Sequence, residues 1–254
     1  MPRAFRLFIL PAALALLAGC ATGPSARLHY TIKQEPGSRP LQQVVLLPVD
    51  VDVYEMSAGG IKEEVPDWSD VAGENVRNAL LVSKDPEGKC CVTREVDSSS
   101  LTDVERGILE EHLALFNTVA ANAMWADLPV NSAWHFKAQH FDYTLGDGLA
   151  FLKTNYGIDA GLIILGEDVV STAGRKTTAV VGAMVGFIVP LGHSTLVGGL
   201  VDFETGDLLW LNHTVSGGNA DLRERGSALG LARELMAGYP ALDAAREPAT
   251  STGK

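Results

Sequence analysis

The stretch DYTLGDGLAFLKTNYGIDAGLIILGEDVVS, residues 142–171, limits the folds open to this chain more than any other. Thr144 and Asp147 make a T-x-x-D pattern that suits the start of a helix. Leu149, Leu152 and Tyr156 then fall on one helical face, and Gly157 is the residue expected to stop it. AGLIILGEDVV follows as an apolar run without alternation, which reads as a strand buried within a sheet. A helix delivering the chain into a buried strand requires a layered fold of mixed type.

The flanking segments fit that architecture. QVVLLPVDVDVYEM begins with an uninterrupted apolar run and passes into alternating valines, as a central strand nearing a sheet edge would. DWSDVAGENVRNALLV has Asp67 as a cap and places Trp68, Val71/Ala72, Val76 and Ala79/Leu80 on one face. CCVTREV reads as another strand. SSSLTDVERGILEEHLALFNTVAANAMWADLP is the longest helix, begun by Ser100 or Thr102 and ended before Pro129. LVGGLVDFETGDLLWLNHTVSGG gives two strands joined across ETGD, whose glycine suits a bulged hairpin turn. A last helix near NADLRERGSALGLARELMAG turns Leu222, Leu229, Ala232 and Met236 inward. The expected fold class is α/β (α+β): a mixed β-sheet flanked by helices, with a C-terminal hairpin and helix.

The N-terminus has a different grammar. Arg3 and Arg6 precede an apolar run over Leu7–Leu17, too short for the roughly 20 residues of a spanning helix. It closes on Leu17-Ala18-Gly19-Cys20, which resembles the bacterial lipobox. That resemblance implies diacylglyceryl attachment to the Cys20 thiol, cleavage before it, and N-acylation (palmitate) of the new amine. Ala21 follows, and not the aspartate associated with inner-membrane retention, so the expected address is the periplasmic face of the outer membrane. The expected division is a signal peptide at 1–19, a flexible tether at 20–42, a single periplasmic domain at 43–240 and a disordered tail at 241–254. The tether holds three prolines and a short strand is expected near Leu28–Ile32.

Charge narrows the function classes. Without Arg3 and Arg6 the chain has 18 basic against 31 acidic residues, near −13, which lacks the footprint of a nucleic-acid binder. Cys90 and Cys91 are adjacent, and neighbouring strand residues face opposite ways, so a bridge between them would distort the backbone. No C-x-x-C spacing marks a metal or redox site. His135 and His140, with His112 or Asp142, lack the i, i+4 spacing of a tight helical ligand pair. Glu167 and Asp168 follow a buried strand, where α/β proteins often place sites. Alone they read as the start of a loop, pairing with Arg175 or Lys176. Ser57-Ala-Gly-Gly60 lacks the Lys-Ser/Thr of a phosphate loop. No catalytic, metal or cofactor site is assembled from these residues, and none is expected.

The sharpest functional clue is residues 178–191, in a stretch uncharged from Thr177 to Leu196. Gly182-Ala-Met-Val-Gly186 has the small-xxx-small spacing that lets backbones pack closely. Two readings stand: a core strand or buried helix, or a surface element that meets the membrane or another subunit.

LLPVDVDVYEMSAGG, the 142–176 stretch and LVDFETGDLLWLN together resemble a family of uncharacterised proteobacterial outer-membrane lipoproteins, over most of residues 43–216. More distantly, the strand–TGD–LLW hairpin is similar to the periplasmic domains of the curli-secretion lipoprotein, the TolB amino-terminal domain and the lipoprotein activators of penicillin-binding proteins. The resemblance implies a helix-flanked sheet and a role in envelope assembly or binding without catalysis. The expected partners are the outer membrane through the lipid and a protein or second copy through 178–191. A lipid-anchored periplasmic hydrolase is the alternative. Cys20→Ala should abolish incorporation of a fatty-acid analogue and leave the precursor uncleaved; label persisting in that variant would refute the anchor.

Overall fold

The computed structural model describes residues 26–34, 41, 43–82, 92, 94–126, 135–184, 186–218 and 220–240. The signal peptide, Cys20, the Cys90–Cys91 pair and the tail at 241–254 lie outside the described residues. In chain order the elements are β1 (Arg27–Leu28), α1 (Tyr30–Gln34), β2 (Val44–Leu46), β3 (Asp50–Met56), β4 (Lys62–Glu64), α2 (Pro66–Val82), α3 (Asp103–Ala126), α4 (His135–Gln139), α5 (Ala150–Tyr156), β5 (Ala160–Ser171), α6 (Ala173–Met184), β6 (His193–Asp202), β7 (Leu208–Gly217) and α7 (Arg225–Leu235).

Among the described residues seven strands form one mixed sheet, in the order β1-β7-β6-β5-β3-β4, with β2 also paired to β5. The buried run lies at its centre: β5 is parallel to β2 and β3 and antiparallel to β6. The segment expected as one strand, QVVLLPVDVDVYEM, divides into β2 and β3. Leu46 pairs with Leu162 and Asp50 with Leu165, so four residues on one side oppose three on the other. The extra residue falls around Pro48, which has no N–H to donate to a ladder. It also reverses the side-chain alternation. Val44 and Leu46 therefore share a core with Val51 and Val53, while Val45 and Leu47 face the opposite core.

Helices cover both faces. On one, Ala72 and Val76 of α2 and Ala228, Leu231 and Leu235 of α7 pack over Leu162, Ile164 and Trp210. On the other, Leu109 and Phe116 of α3 and Leu149 and Leu152 pack over Ile163, Val201 and Phe203. In α2 the expected inward face holds at Ala72, Val76, Ala79 and Leu80, whereas Val71 is exposed. Helix α3 starts from Thr102, whose hydroxyl accepts from the Glu105 N–H while the Glu105 carboxylate accepts from the Thr102 N–H. Gly157 ends α5 in the left-handed conformation, as its position suggests.

Four local expectations are corrected. Residues 26–34 are no spacer: β1 pairs with β7, and the chain then turns into α1, where a strand was expected, with Leu28 and Ile32 packed on the core. Of CCVTREV, the described residues, 92 and 94–96, supply one bridge, Leu46 to Glu95. The Thr144–Asp147 box does not form. The Thr144 hydroxyl accepts from the Gly146 N–H, its backbone bridges to Asp207, and a 3-10 turn at Asp147–Leu149 leads into α5. Leu222 is buried but precedes α7, so the inward face of that helix is Ala228, Leu231, Ala232 and Leu235; Leu229 and Met236 are half-buried.

The β6–β7 hairpin turns across ETGD, as expected, with a register shift at Leu200/Val201. Asp202 Oδ1 accepts from the Glu204 N–H, and the Gly206 N–H donates to the Asp202 carbonyl. Gly206 has φ +73, and a Cβ there would lie 1.9 Å from the carbonyl oxygen of Gly146. Gly206→Ala combines a disfavoured backbone with a backbone clash, so it should cost more than about 2 kcal/mol, read as a lowered denaturation midpoint.

Candidate functional site

Helix α6 leaves the end of β5 and carries the first part of the uncharged stretch. The Thr172 hydroxyl accepts from the Arg175 N–H at its start. At its end Gly186 adopts φ +85, and the Phe187 N–H donates to the Gly182 carbonyl at 2.8 Å. This closes a Schellman-type turn. A Cβ on Gly182 would stand 3.2 Å from both the Phe187 carbonyl and a Val189 methyl. The small-xxx-small spacing thus serves a tight return within one arm: Gly186 supplies the turn and Gly182 the room for the returning chain.

The arm presents its apolar residues to solvent. Met184 is 79% exposed, Phe187 71% and Ile188 95%. Val180, Val181 and Leu191 are exposed too, so the core reading of 178–191 fails: the segment lies on the surface.

Arg175 holds the arm to the domain. This buried guanidinium donates from Nε to the Pro190 carbonyl at 2.9 Å and from Nη1 to the Ser57 carbonyl at 3.3 Å. It thereby joins the base of the arm to the Ser57–Gly60 turn between β3 and β4. That turn is an ordinary glycine-rich reversal, with the Ser57 N–H donating to the Ile61 carbonyl and Ile61 itself exposed. The return to the sheet is fixed by the Gly192 N–H, which donates to the Ser171 hydroxyl at 3.0 Å.

Glu167 and Asp168 have divergent settings. Glu167 pairs at 2.9 Å with Lys62 of β4, reached across β3, and stands 3.2 Å from Nε2 of His193 on the adjoining β6. The expected pairing with Arg175 or Lys176 is replaced, since Arg175 turns inward to carbonyls. Asp168 is fully buried on the opposite face of β5. It accepts from the Ser194 hydroxyl at 2.7 Å and the Leu222 N–H at 2.8 Å, which ties the loop before α7 to the sheet. Burial pushes its carboxyl above the usual range, against the opposing pull of those two donors. Beside it, a hydrogen bond from Arg223 holds Asp221 below its usual value, and the Arg223 guanidinium lies over the Trp68 ring at 4.0 Å. Asp168 and Ser194 have no access to a substrate, which removes them from any hydrolytic set.

The histidines are separated. His140 stacks on Tyr30 and Phe136, with ring centroids 4.3 and 5.4 Å away, and its Nε2 is 4.0 Å from Asp142. Asp142 itself takes the Lys137 ammonium at 2.6 Å. His112 lies on α3, with Nδ1 2.7 Å from the Ile108 carbonyl and its ring against Gly148. The side chain of His135 lies outside the described residues. Among those described, no group of three His, Cys, Asp or Glu is placed to hold a metal.

Sequence reasoning passed over Arg175 as a clamp and Ile61 as its exposed neighbour. The signal for Arg175 was its place at the head of an uncharged stretch, where a buried cation needs polar partners. Ile61 gave no signal, because its exposure follows from the turn alone.

No protein-family model matches the chain, and no curated protein matches it in sequence. Solved structures with slight likeness include the PelC dodecamer from Paraburkholderia phytofirmans, at TM-score 0.35 and 9% identity, covering 86% of this chain and 96% of that one. The LpoB C-terminal domain from Salmonella enterica aligns at TM-score 0.25 and 12% identity, over 74% of this chain and 91% of that one. Likeness at this level assigns no family and no residue a role.

The buried carboxyl yields a pH test. The folded-state value of Asp168 is raised, so the folded chain holds its proton more tightly than the unfolded one. Its charge therefore costs stability at neutral pH, and that cost is relieved as pH falls through the raised value towards the ordinary 3.8. Asn at 168 can accept from the Leu222 N–H and donate to the Ser194 hydroxyl, and it does not titrate. In denaturant melts, Asp168→Asn should fold, and the wild type should gain on it as the solution is acidified. Asp168→Ala should lose about 1–3 kcal/mol near neutral pH, because it strands the Leu222 N–H, and the gap to wild type should widen on acidification.

Proposed function

We propose that this chain is a lipid-anchored outer-membrane lipoprotein facing the periplasm, a non-enzymatic binding or assembly factor of the envelope or its secretion machinery. The observation that carries the contact role is the apolar arm. Exposed apolar side chains in one contiguous patch mark an interaction surface in a folded domain, and Met184, Phe187 and Ile188 stand clear of both cores. The lipobox-like Leu17–Cys20 supports the anchor, and two or three acyl chains hold a protein to a bilayer where one does so only marginally.

The titratable candidates support a contact role better than the alternative, a lipid-anchored hydrolase. Asp168 is enclosed, Glu167 is engaged by Lys62, and His140 is stacked between rings. His140→Ala, His135→Ala and Glu167→Gln should each leave function intact in the native host. Complete loss in any of them, at normal abundance, would restore the hydrolase.

The arm itself is tested by charge. Met184→Asp and Phe187→Asp place a carboxylate in water while the chain is free but force its desolvation once a contact forms, at a cost of several kcal/mol. Both should melt within about 1 °C of the wild type, given that surface changes shift stability by about 0.5 kcal/mol or less. Both should lose crosslinks from the arm in intact envelopes. Unfolding of both would make the arm part of the core.

A further inference from the structure

The geometry points to the bilayer as what the arm touches: the apolar end of the sheet rests on the membrane that holds the lipid of Cys20. This inference rests on the anchor reading above and names the occupant of the contact surface.

The first support is where the exposed apolar side chains collect. Of thirteen large hydrophobic residues exposed among the described ones, eight lie at one end of the sheet: Ile61, Val215 and six on the arm. Strand register puts them together. Parallel β3 and β5 both finish there, at Met56 and Ser171, and β6 begins there, with His193 opposite Gly217 of β7. Arg175 binds the arm and the Ser57–Gly60 turn into one unit. The opposite end carries polar groups around the β6–β7 turn, among them Asp159, Asp207 and the Lys153–Glu204 pair, and none of the thirteen exposed large hydrophobics lies on that turn.

The second support is the path of the chain outside the described residues. β1 is antiparallel to β7, with Arg27 opposite Leu211 and Leu28 opposite Trp210. Towards its N-terminus, the chain therefore leaves β1 heading to the Gly217 end of β7, the end where the arm stands. From Ala26 back to Cys20 the chain reaches at most about 20 Å. The six residues from Leu211 to Gly217 rise about 20 Å along the strand. Cys20 is thus within about 20 Å of Ala26, a reach that takes in the arm's end of the sheet and keeps the domain close to the surface that holds the lipid. An uncharged arm with exposed Phe, Met, Ile and Val and the cation Lys176 at its base has the chemistry of an interfacial segment.

The full-length lipidated protein, reconstituted in phosphatidylethanolamine–phosphatidylglycerol vesicles carrying a photoactivatable acyl chain, tests this. After irradiation, lipid adducts should map to the arm and to the Ile61 turn, and not to Val104 or Leu115 on α3. Phe187→Asp combined with Ile188→Asp should cut adducts on the arm about tenfold while the melting temperature stays unchanged. If the double variant unfolds, the single Met184→Asp change carries the same expectation. An arm free of adducts, with Cys20 shown by mass to be acylated, overturns the inference and leaves the anchor standing. So does an arm that crosslinks to a second copy or another protein in place of lipid. Protein purified without acyl mass on Cys20 overturns both.

Discussion

The burial of β5 on both faces and along both edges is the constraint on which everything else depends. Ala160, Leu162 and Ile164 face one helical layer, Ile163 the other, and every polar backbone group between them must find a strand partner. β2, β3 and β6 provide those partners. The one-residue excess around Pro48 lets a single segment serve two stretches of β5 while keeping valines on the appropriate side. Because β5 continues past the cores to Ser171, its last residues set the bases of the arm and of the loop before α7. Glu167 and Asp168, adjacent in sequence, emerge on opposite faces and do unrelated work: one forms a surface ion pair, the other fastens a loop.

The parts of this fold that were legible in the sequence are those where packing and local pattern agree. β5, α3, the inward stripe of α2 and the β6–β7 hairpin each follow from periodicity and turn residues, and the helix-flanked mixed sheet follows from them. What was not legible depended on distant partners. Arg27 and Leu28 become a strand only because β7 has a free edge there, and Glu95 makes a single bridge, to Leu46 at the end of β2. The Thr144 box is diverted by a backbone bridge to Asp207, sixty-odd residues on. The apolar stretch at 178–191 looked equally suited to core or surface, because hydropathy reports what a segment is made of and not what remains to cover it.

The arm shows how a domain can expose apolar area without becoming loose. Its helix is finished by a glycine turn, its returning chain lies against Gly182, and its base is held by the buried Arg175. Little ordering remains to be done when a contact forms, so less of the gained free energy is spent on immobilising side chains. The acidic balance of the rest of the chain disfavours contact elsewhere with anionic surfaces.

The pairing of β1 with β7 also governs when the chain can become itself during synthesis. The first described strand waits for one of the last, and Asp168 waits for the N–H of Leu222. Contacts of such long sequence separation form late and slowly. Until Leu222 has been made, Asp168 lacks one of its two donors, and until β7 has been made, β1 lacks its strand partner. The complete sheet is therefore closed only after most of the chain has been made.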